Sequence, residues 1–152
     1  MTSSPDVPEV SPCNCTAMRK ASRRLSQMYD NALAPTGLKS TQYSILAEIK
    51  RHGEPPTMRE LADAMVMDRS TLGHNLGPLE RDGLVELAAS ATDRRSKHVV
   101  LTARGRARIA EARRLWQAAQ KRFEQRFGAA QAAALRAVLL DIAADETLVN
   151  PA

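Results

Sequence analysis

Aromatic side chains are scarce in this chain: one Trp, two Tyr and two Phe make up 3% of its 152 residues. A core built here must rest on Leu, Ala, Met, Ile and Val. The length suffices to bury one such core and is short for two. Cysteine is nearly absent as well. Cys13 and Cys15 stand in a Cys-X-Cys arrangement, which makes no disulfide framework and offers two ligands where a closed zinc site needs four. The histidines, His52, His74 and His98, belong to separate segments without metal-ligand spacing, so neither a metal nor another cofactor is expected. No stretch approaches the ~18 apolar residues of a membrane span. The opening residues hold Pro, Ser, Asp and Glu in place of the apolar run of a secretory leader. A cytoplasmic protein with reduced thiols and no membrane partner is expected. No Ser/His/Asp set, phosphate-cradling loop or paired-carboxylate motif stands out, which argues against an enzyme.

Acidic residues are missing from one stretch in particular. Between residues 94 and 110 lie Arg94, Arg95, Lys97, Arg104, Arg106 and Arg108, with no Asp or Glu among them. The net charge is +5 and the sequence pI about 9.7, so an anionic partner fits, and the clustering points to where it would sit.

Residues 1–10 read as a disordered, polar tail, and 11–152 as a single domain. Ser11 as cap and Pro12 at the first helical position open a helix whose apolar stripe runs through Cys15, Met18, Ala21, Leu25, Met28 and Ala32. Its Arg19, Lys20, Arg23 and Arg24 read as a solvated face. Ala34-Pro35-Thr36-Gly37 ends it. Ser40 or Thr41 caps a second helix to about Arg51, closed by Gly53 and Pro55-Pro56. Thr57-X-X-Glu60 is a capping box that opens a third, with Leu61, Ala62 and Met65 inward. Asp68 caps a fourth, which buries Leu72, Leu76 and Leu79. Pro78 should kink it, and Gly83 marks its end. Strands over Leu84–Ala89 and His98–Leu101 flank a polar tip. Thr102 caps a long helix to about Phe127, with Ile109, Ala112, Trp116, Ala119, Phe123 and Phe127 at helical spacing. A last helix over about 129–146 carries Leu135, Val138, Leu139 and Ile142.

The stretch 57–102 therefore reads as a helix-turn-helix with a β-hairpin wing, in a mainly α fold of six helices. Opposite its leucine stripe the fourth helix presents Ser70, His74 and Gly77, flanked by Arg69, Thr71, Gly73 and Asn75. Such a face has little bulk and several donors, as a helix entering the major groove requires. With Asp68 as cap, Ser70 and Thr71 are freed for contacts. At the hairpin tip Arg94 and Arg95, with Lys97, can reach phosphate or the minor groove, and Asp93 can fix an arginine by an ion pair. The segments 11–52 and 103–148 are too apolar to lie exposed on so small a domain. Interlocking with a second copy would cover them, and would set two recognition helices about one DNA turn apart on a pseudo-palindromic site.

From about Cys15 to Gly105 the chain resembles the MarR family of winged helix-turn-helix regulators. The resemblance is carried by Leu61-Ala62, by Arg69-Ser70-Thr71-Leu72 and by Leu79-Glu80-Arg81-Asp82-Gly83-Leu84-Val85. It continues through Asp93-Arg94-Arg95 and Leu101-Thr102-X-X-Gly105. It implies a homodimer held by its terminal helices, binding double-stranded DNA, and a repressor or activator released by a small molecule or an oxidant. It also implies a minor-groove role for Arg95. His74 stands where a basic residue is frequent in the family.

A helix N-terminus stabilises a thiolate, so Cys13 and Cys15 in a first turn are redox candidates. Some MarR-family peroxide sensors carry a reactive cysteine there, hydrogen-bonded to two tyrosines of the partner chain. Cys15 resembles that cysteine and Tyr29 lies at the matching spacing. The second tyrosine's place is taken by Ser40, with Tyr43 three residues on, and no further cysteine lies near the C-terminus to resolve an oxidised Cys15. Tyr29 is ~21 Å along a straight helix from its own Cys15, so only the partner's tyrosine could reach it. The plain alternative makes Cys15 a small core residue and Cys13 incidental, with a small apolar or aromatic-acid effector bound between the dimer helices and the DNA-binding lobe. Two rivals remain: a thiol-dependent peroxidase built on Cys15, with Arg19 its only visible helper, and an architectural DNA binder without sequence preference.

Overall fold

The structure, a computed structural model, describes residues 10–150; apart from Val10, the segment expected to be a disordered tail lies outside them. Six helices and one hairpin follow in order: α1 (Asn14–Leu33), a 3₁₀ turn (Ala34–Thr36), α2 (Ser40–His52), α3 (Met58–Met65), α4 (Arg69–Arg81), β1 (Val85–Ala89), β2 (Lys97–Leu101), α5 (Ala103–Phe127), α6 (Ala129–Ala144) and a closing 3₁₀ turn (Glu146–Leu148). β1 and β2 are antiparallel, with Val85 opposite Leu101 and Ala89 opposite Lys97. The mainly α architecture with a hairpin wing is the one the sequence led us to expect.

Helix ends show where local reading worked and where it did not. Thr57 and Glu60 form the expected box, Thr57 N–H donating to Glu60 Oε2 at 2.7 Å and Glu60 N–H to Thr57 Oγ1 at 3.1 Å. Asp68 caps α4 and Thr102 caps α5. The start of α1 is a correction. Ser11 is not its cap: Cys13 is, with extended backbone and its Sγ accepting Thr16 N–H at 3.4 Å, while Ser11 Oγ only accepts Cys13 N–H. Pro12 therefore lies outside the helix. Neither Ser40 nor Thr41 caps α2. Lys39 holds that position, its N–H donating to Gln42 Oε1 at 2.9 Å, and Asp30 of α1 accepts Ser40 N–H at 2.7 Å. β1 starts at Val85 because Leu84 N–H closes α4 onto Leu79 O at 2.9 Å. α4 is a single helix through Pro78, its ladder resuming with Asp82 N–H to Pro78 O at 3.0 Å.

One position is strained. Val66, which ends α3, has φ of 52°, and no other non-glycine among the described residues has a positive φ. A β-branched residue in the left-handed region costs on the order of 1–3 kcal/mol. The turn keeps it there because Val66 N–H bonds Ala62 O and Asp63 O.

The core joins Leu33 of α1, Ile45, Leu46 and Ile49 of α2, Leu61 of α3, the three leucines of α4, Leu84, Val85, Val99 and the first half of α5 through Ile109 and Ala112. The apolar face of α2 is thus spent within the helix-turn-helix core. α6 is different. Ala132 is buried, whereas Leu135, Val138, Leu139 and Leu140 are 39–62% exposed and Ile142 is 37% exposed.

The wing is tied to α5 at Thr102. Its hydroxyl donates to Gly83 O at 2.7 Å, with Leu84 O also near at 3.1 Å, and accepts Gly105 N–H at 3.0 Å. Gly105 is buried there with no room for a side chain. A Cβ would overlap the Leu84 carbonyl oxygen and stand 2.8 Å from Leu101 Cδ1. Overpacking against backbone costs ~1–3 kcal/mol or more, so Gly105→Ala should lower the melting temperature by about 4–10 °C. An unchanged thermal melt would show that the α5–wing junction is loose.

Candidate nucleic-acid interface

The interface starts from the leucine stripe. Burying Leu72, Leu76 and Leu79 turns the opposite side of α4 outward, where Ser70, Gly73 and His74 are exposed and Gly77 half-buried. Gly73 and Gly77 have nothing within 4 Å of where a Cβ would stand, so this face is nearly bare backbone between Ser70 and His74. Arg69 is exposed at its start.

Two of the expected contact residues are already engaged. Thr71 is not freed by Asp68 but bound to it: Thr71 N–H donates to Asp68 Oδ1 at 2.7 Å and Thr71 Oγ1 to Oδ2 at 3.0 Å. These two bonds hold the Asp68 carboxyl below its ordinary range. Asn75 is half-buried, and its Nδ2 donates to Thr71 O at 2.9 Å. Both brace the helix's first turns, leaving Arg69, Ser70 and His74 as the exposed members of the set on α4 with no bond to another side chain among the described residues.

The wing tip builds itself from short polar side chains. Ser90 Oγ accepts Thr92 N–H and Asp93 N–H, each at 3.3 Å, and Ser96 N–H closes onto Asp93 O at 3.1 Å. Asp93 supports the tip differently from the expected ion pair: its Oδ1 accepts the backbone N–H of Arg95 at 2.9 Å. The Arg94 and Arg95 side chains are exposed, and neither is in an ion pair among the described residues. Lys97 is exposed at the start of β2. Arg108 leaves the basic patch, since its Nη1 donates to Thr36 O at 2.8 Å and its Nε lies 3.8 Å from Glu111 Oε2.

The redox candidates are not brought together within one chain. Cys13 and Cys15 are both exposed free thiols, so the reading of Cys15 as a core residue is not how the chain places it. Tyr29 donates to Gln120 Oε1 of α5 at 2.5 Å, and Tyr43 stacks on Trp116 with ring centroids 6.2 Å apart. Both tyrosines line a cavity of about 760 Å³ that neither cysteine lines. Its walls also include Trp116, Met65 and Met67, which sequence reasoning missed. The hint was that two of the chain's six methionines fall at the end of α3 and within the turn that follows it.

Comparison with known proteins fits this geometry. A family model described as MarR family matches residues 36–96. The transcriptional regulator MosR of M. tuberculosis is 38% identical, with 88% of this chain and 96% of that one covered at a TM-score of 0.74. MosR in complex with DNA superposes equally, at 38% identity, with 88% and 99% covered and a TM-score of 0.73. The transcriptional repressor CouR bound to a DNA duplex is 28% identical, with 93% and 99% covered and a TM-score of 0.81. The chain belongs to the MarR family. A LexA repressor of Nocardioides sp. is 36% identical over 76 residues, so the match spans 47% of this chain and only 31% of that curated relative.

As a MarR-family chain it carries two glycines on the outward face of α4, where helix propensity alone would disfavour them by ~1 kcal/mol each. Gly73→Ala should therefore stabilise the fold by about 0.5–1 kcal/mol and, where this face enters a groove, weaken binding to operator DNA. Chemical denaturation and DNA titration on the same preparation check both halves. A variant that gained stability and bound DNA as tightly would show that this face stays clear of the groove.

Proposed function

We propose that this chain acts as a homodimeric repressor that reads a pseudo-palindromic operator and lets go when a small molecule binds or a thiol is oxidised. One observation carries the DNA-binding half: a bare, outward face of α4 bearing Ser70 and His74, with the unpaired Arg94 and Arg95 on a self-tied hairpin beside the same core. In this reading Ser70 and His74 meet base edges, and Arg69 and Lys97 meet phosphate. Arg95 reaches a minor groove, and Thr71, Asn75 and Asp93 hold these groups in place. The DNA complexes of MosR and CouR support it. The arms of α1, α5 and α6 pair two copies in the cytoplasm. Among the described residues no single helix is long and apolar enough to cross a membrane.

The test is titration of the purified protein with the DNA upstream of its own gene at fixed salt, against a scrambled duplex. A large preference for one palindromic site is expected, whereas equal affinity and a steep salt slope would indicate an architectural binder. Arg95→Ala should lower operator affinity on the order of tenfold without changing the unfolding midpoint. Unchanged affinity would take the wing out of the interface.

A second route of release is favoured by the geometry at Cys13. As the N-cap of α1 its sulfur accepts Thr16 N–H, and this hydrogen bond holds the thiol below its ordinary pKa. More thiolate is then present at neutral pH, and the thiolate is the reactive form. Neither Cys13, Cys15 nor Arg19 lines the 760 Å³ cavity or the cavity of about 900 Å³ between α1, α5 and α6, which sets a sensor reading above a peroxidase. Near neutral pH iodoacetamide should label Cys13 before Cys15, read by peptide mass spectrometry. An organic hydroperoxide should release operator DNA, reversibly with dithiothreitol, and Cys13→Ser should blunt that response. Preferential labelling of Cys15 together with an unaltered response in Cys13→Ser would return the role to Cys15.

A further inference from the structure

We propose that two hydrogen bonds between α1 and α5 set the spacing at which a pair of these chains reads its two DNA half-sites, with Arg108 and Tyr29 as the positioning residues. The inference rests on the reading of the chain as a dimer on a pseudo-palindromic operator, and assigns the residues that fix that operator's spacing. α1 and α5 are the two helices that lead from the helix-turn-helix into the arm. Each enters the core at one end, α1 through Leu33 and α5 through Ile109 and Ala112. At the base of the pair Arg108 Nη1 donates to Thr36 O at 2.8 Å, and further along Tyr29 Oη donates to Gln120 Oε1 at 2.5 Å. The two bonds stand ~18 Å apart along α5, and between them Leu33 and Ala112 are wholly buried.

The lower bond grips a corner that does not give. Thr36 is the one buried polar residue among those described. Its hydroxyl donates to Leu33 O at 2.7 Å and accepts Leu38 N–H at 3.3 Å, and Asp30 accepts Ser40 N–H across the same corner. Arg108 reaches this corner with a planar, pre-organised fork. Its other neighbour, Glu111 Oε2, is looser at 3.8 Å. At the upper bond, burial raises the Tyr29 phenol, so it keeps its proton at neutral pH and donates. Leverage makes both bonds matter. α5 runs for 25 residues. A tilt of about 5° at its base moves the far end of a helix this long by ~3 Å, about one base-pair step. The two copies join at their arms and read DNA with their lobes, so a tilt between α1 and α5 changes the separation of the recognition helices. Apolar packing is non-directional and resists such a tilt weakly, whereas hydrogen bonds at two levels hold it.

The test reads separation and spacing preference on the full-length dimer. A spin label at Arg81→Cys, exposed at the end of α4, in a Cys13→Ser and Cys15→Ser background reports the distance between the two copies. With both bonds intact one narrow distance is expected. Arg108→Met or Tyr29→Phe should broaden it by ~3 Å or more. On duplexes with the half-sites moved one base pair closer or further apart, the unaltered chain should bind about tenfold more weakly than at the natural spacing. Arg108→Met should narrow that ratio to about threefold or less. Loss of one positive charge weakens binding to all of these duplexes alike, so the ratio reports position and not charge. Arg108→Lys, which keeps a charge and a donor, should restore most of it. Tyr29→Phe removes a single hydroxyl and carries the test if Arg108→Met does not fold. The proposal falls if the distance stays narrow in the folded variants, or if it broadens while the spacing ratio is unchanged. An unaltered dimer that prefers no palindromic site would overturn the operator reading instead, and the label distances would still decide whether the two bonds hold the lobes in place.

Discussion

The wing and the arm of this protein hang on one small knot around Thr102. A single side chain caps α5, takes the last carbonyls of the turn after α4, and brings the chain back from β2. Thr102 N–H adds a bond to Leu84 O at 3.1 Å. α4, both strands and α5 therefore share one rigid joint, and Gly105 allows the backbones to close to a distance no side chain would tolerate. The consequence for function is geometric. The hairpin with its tip arginines and the outward face of α4 are fixed relative to each other, as the proposed reading of one duplex by both requires.

Within that frame α4 trades stability for approach. Two glycines and a proline in thirteen residues would leave an isolated helix poorly formed. The helix holds because its other side inserts three fully buried leucines into the core and because Asp68 ties down its first turn. Tertiary packing supplies what propensity withholds, and the face that propensity would have filled with alanines is left thin. The same logic explains why Thr71 and Asn75 are drawn into the helix's own hydrogen bonds: a helix weak in propensity gains from side chains that brace its first turns.

Most of the fold was legible because its signals are local. Thr57 with Glu60, Asp68, Thr102 and the leucine spacing each announce themselves within a few residues. What was illegible depended on partners distant in sequence. Asp30 caps α2 from α1, Arg108 is captured by Thr36, and α2 spends its apolar face on the core. Val66 gave no glycine signal for the end of α3. The candidate interface residues, from Arg69 to Lys97, could be named from the sequence, but which of them are engaged in bonds within the chain required the geometry. At α1 the sequence misled, because Ser-Pro is a strong start signal and a cysteine is an uncommon cap; only the Cys13–Thr16 bond decides between them.

α6 closes the argument for a second copy. It leaves α5 at 107° and so stands away from the core that covers the other helices. Its apolar residues do not form one stripe: Leu135, Leu139 and Ile142 share a side, and Leu140 points elsewhere, 62% exposed. A helix that is apolar all round is stable only when buried on more than one side. Its own chain offers α5 and the single buried contact of Ala132, so the remaining sides need another protein surface. A two-fold copy of the same sequence is the surface that answers this need.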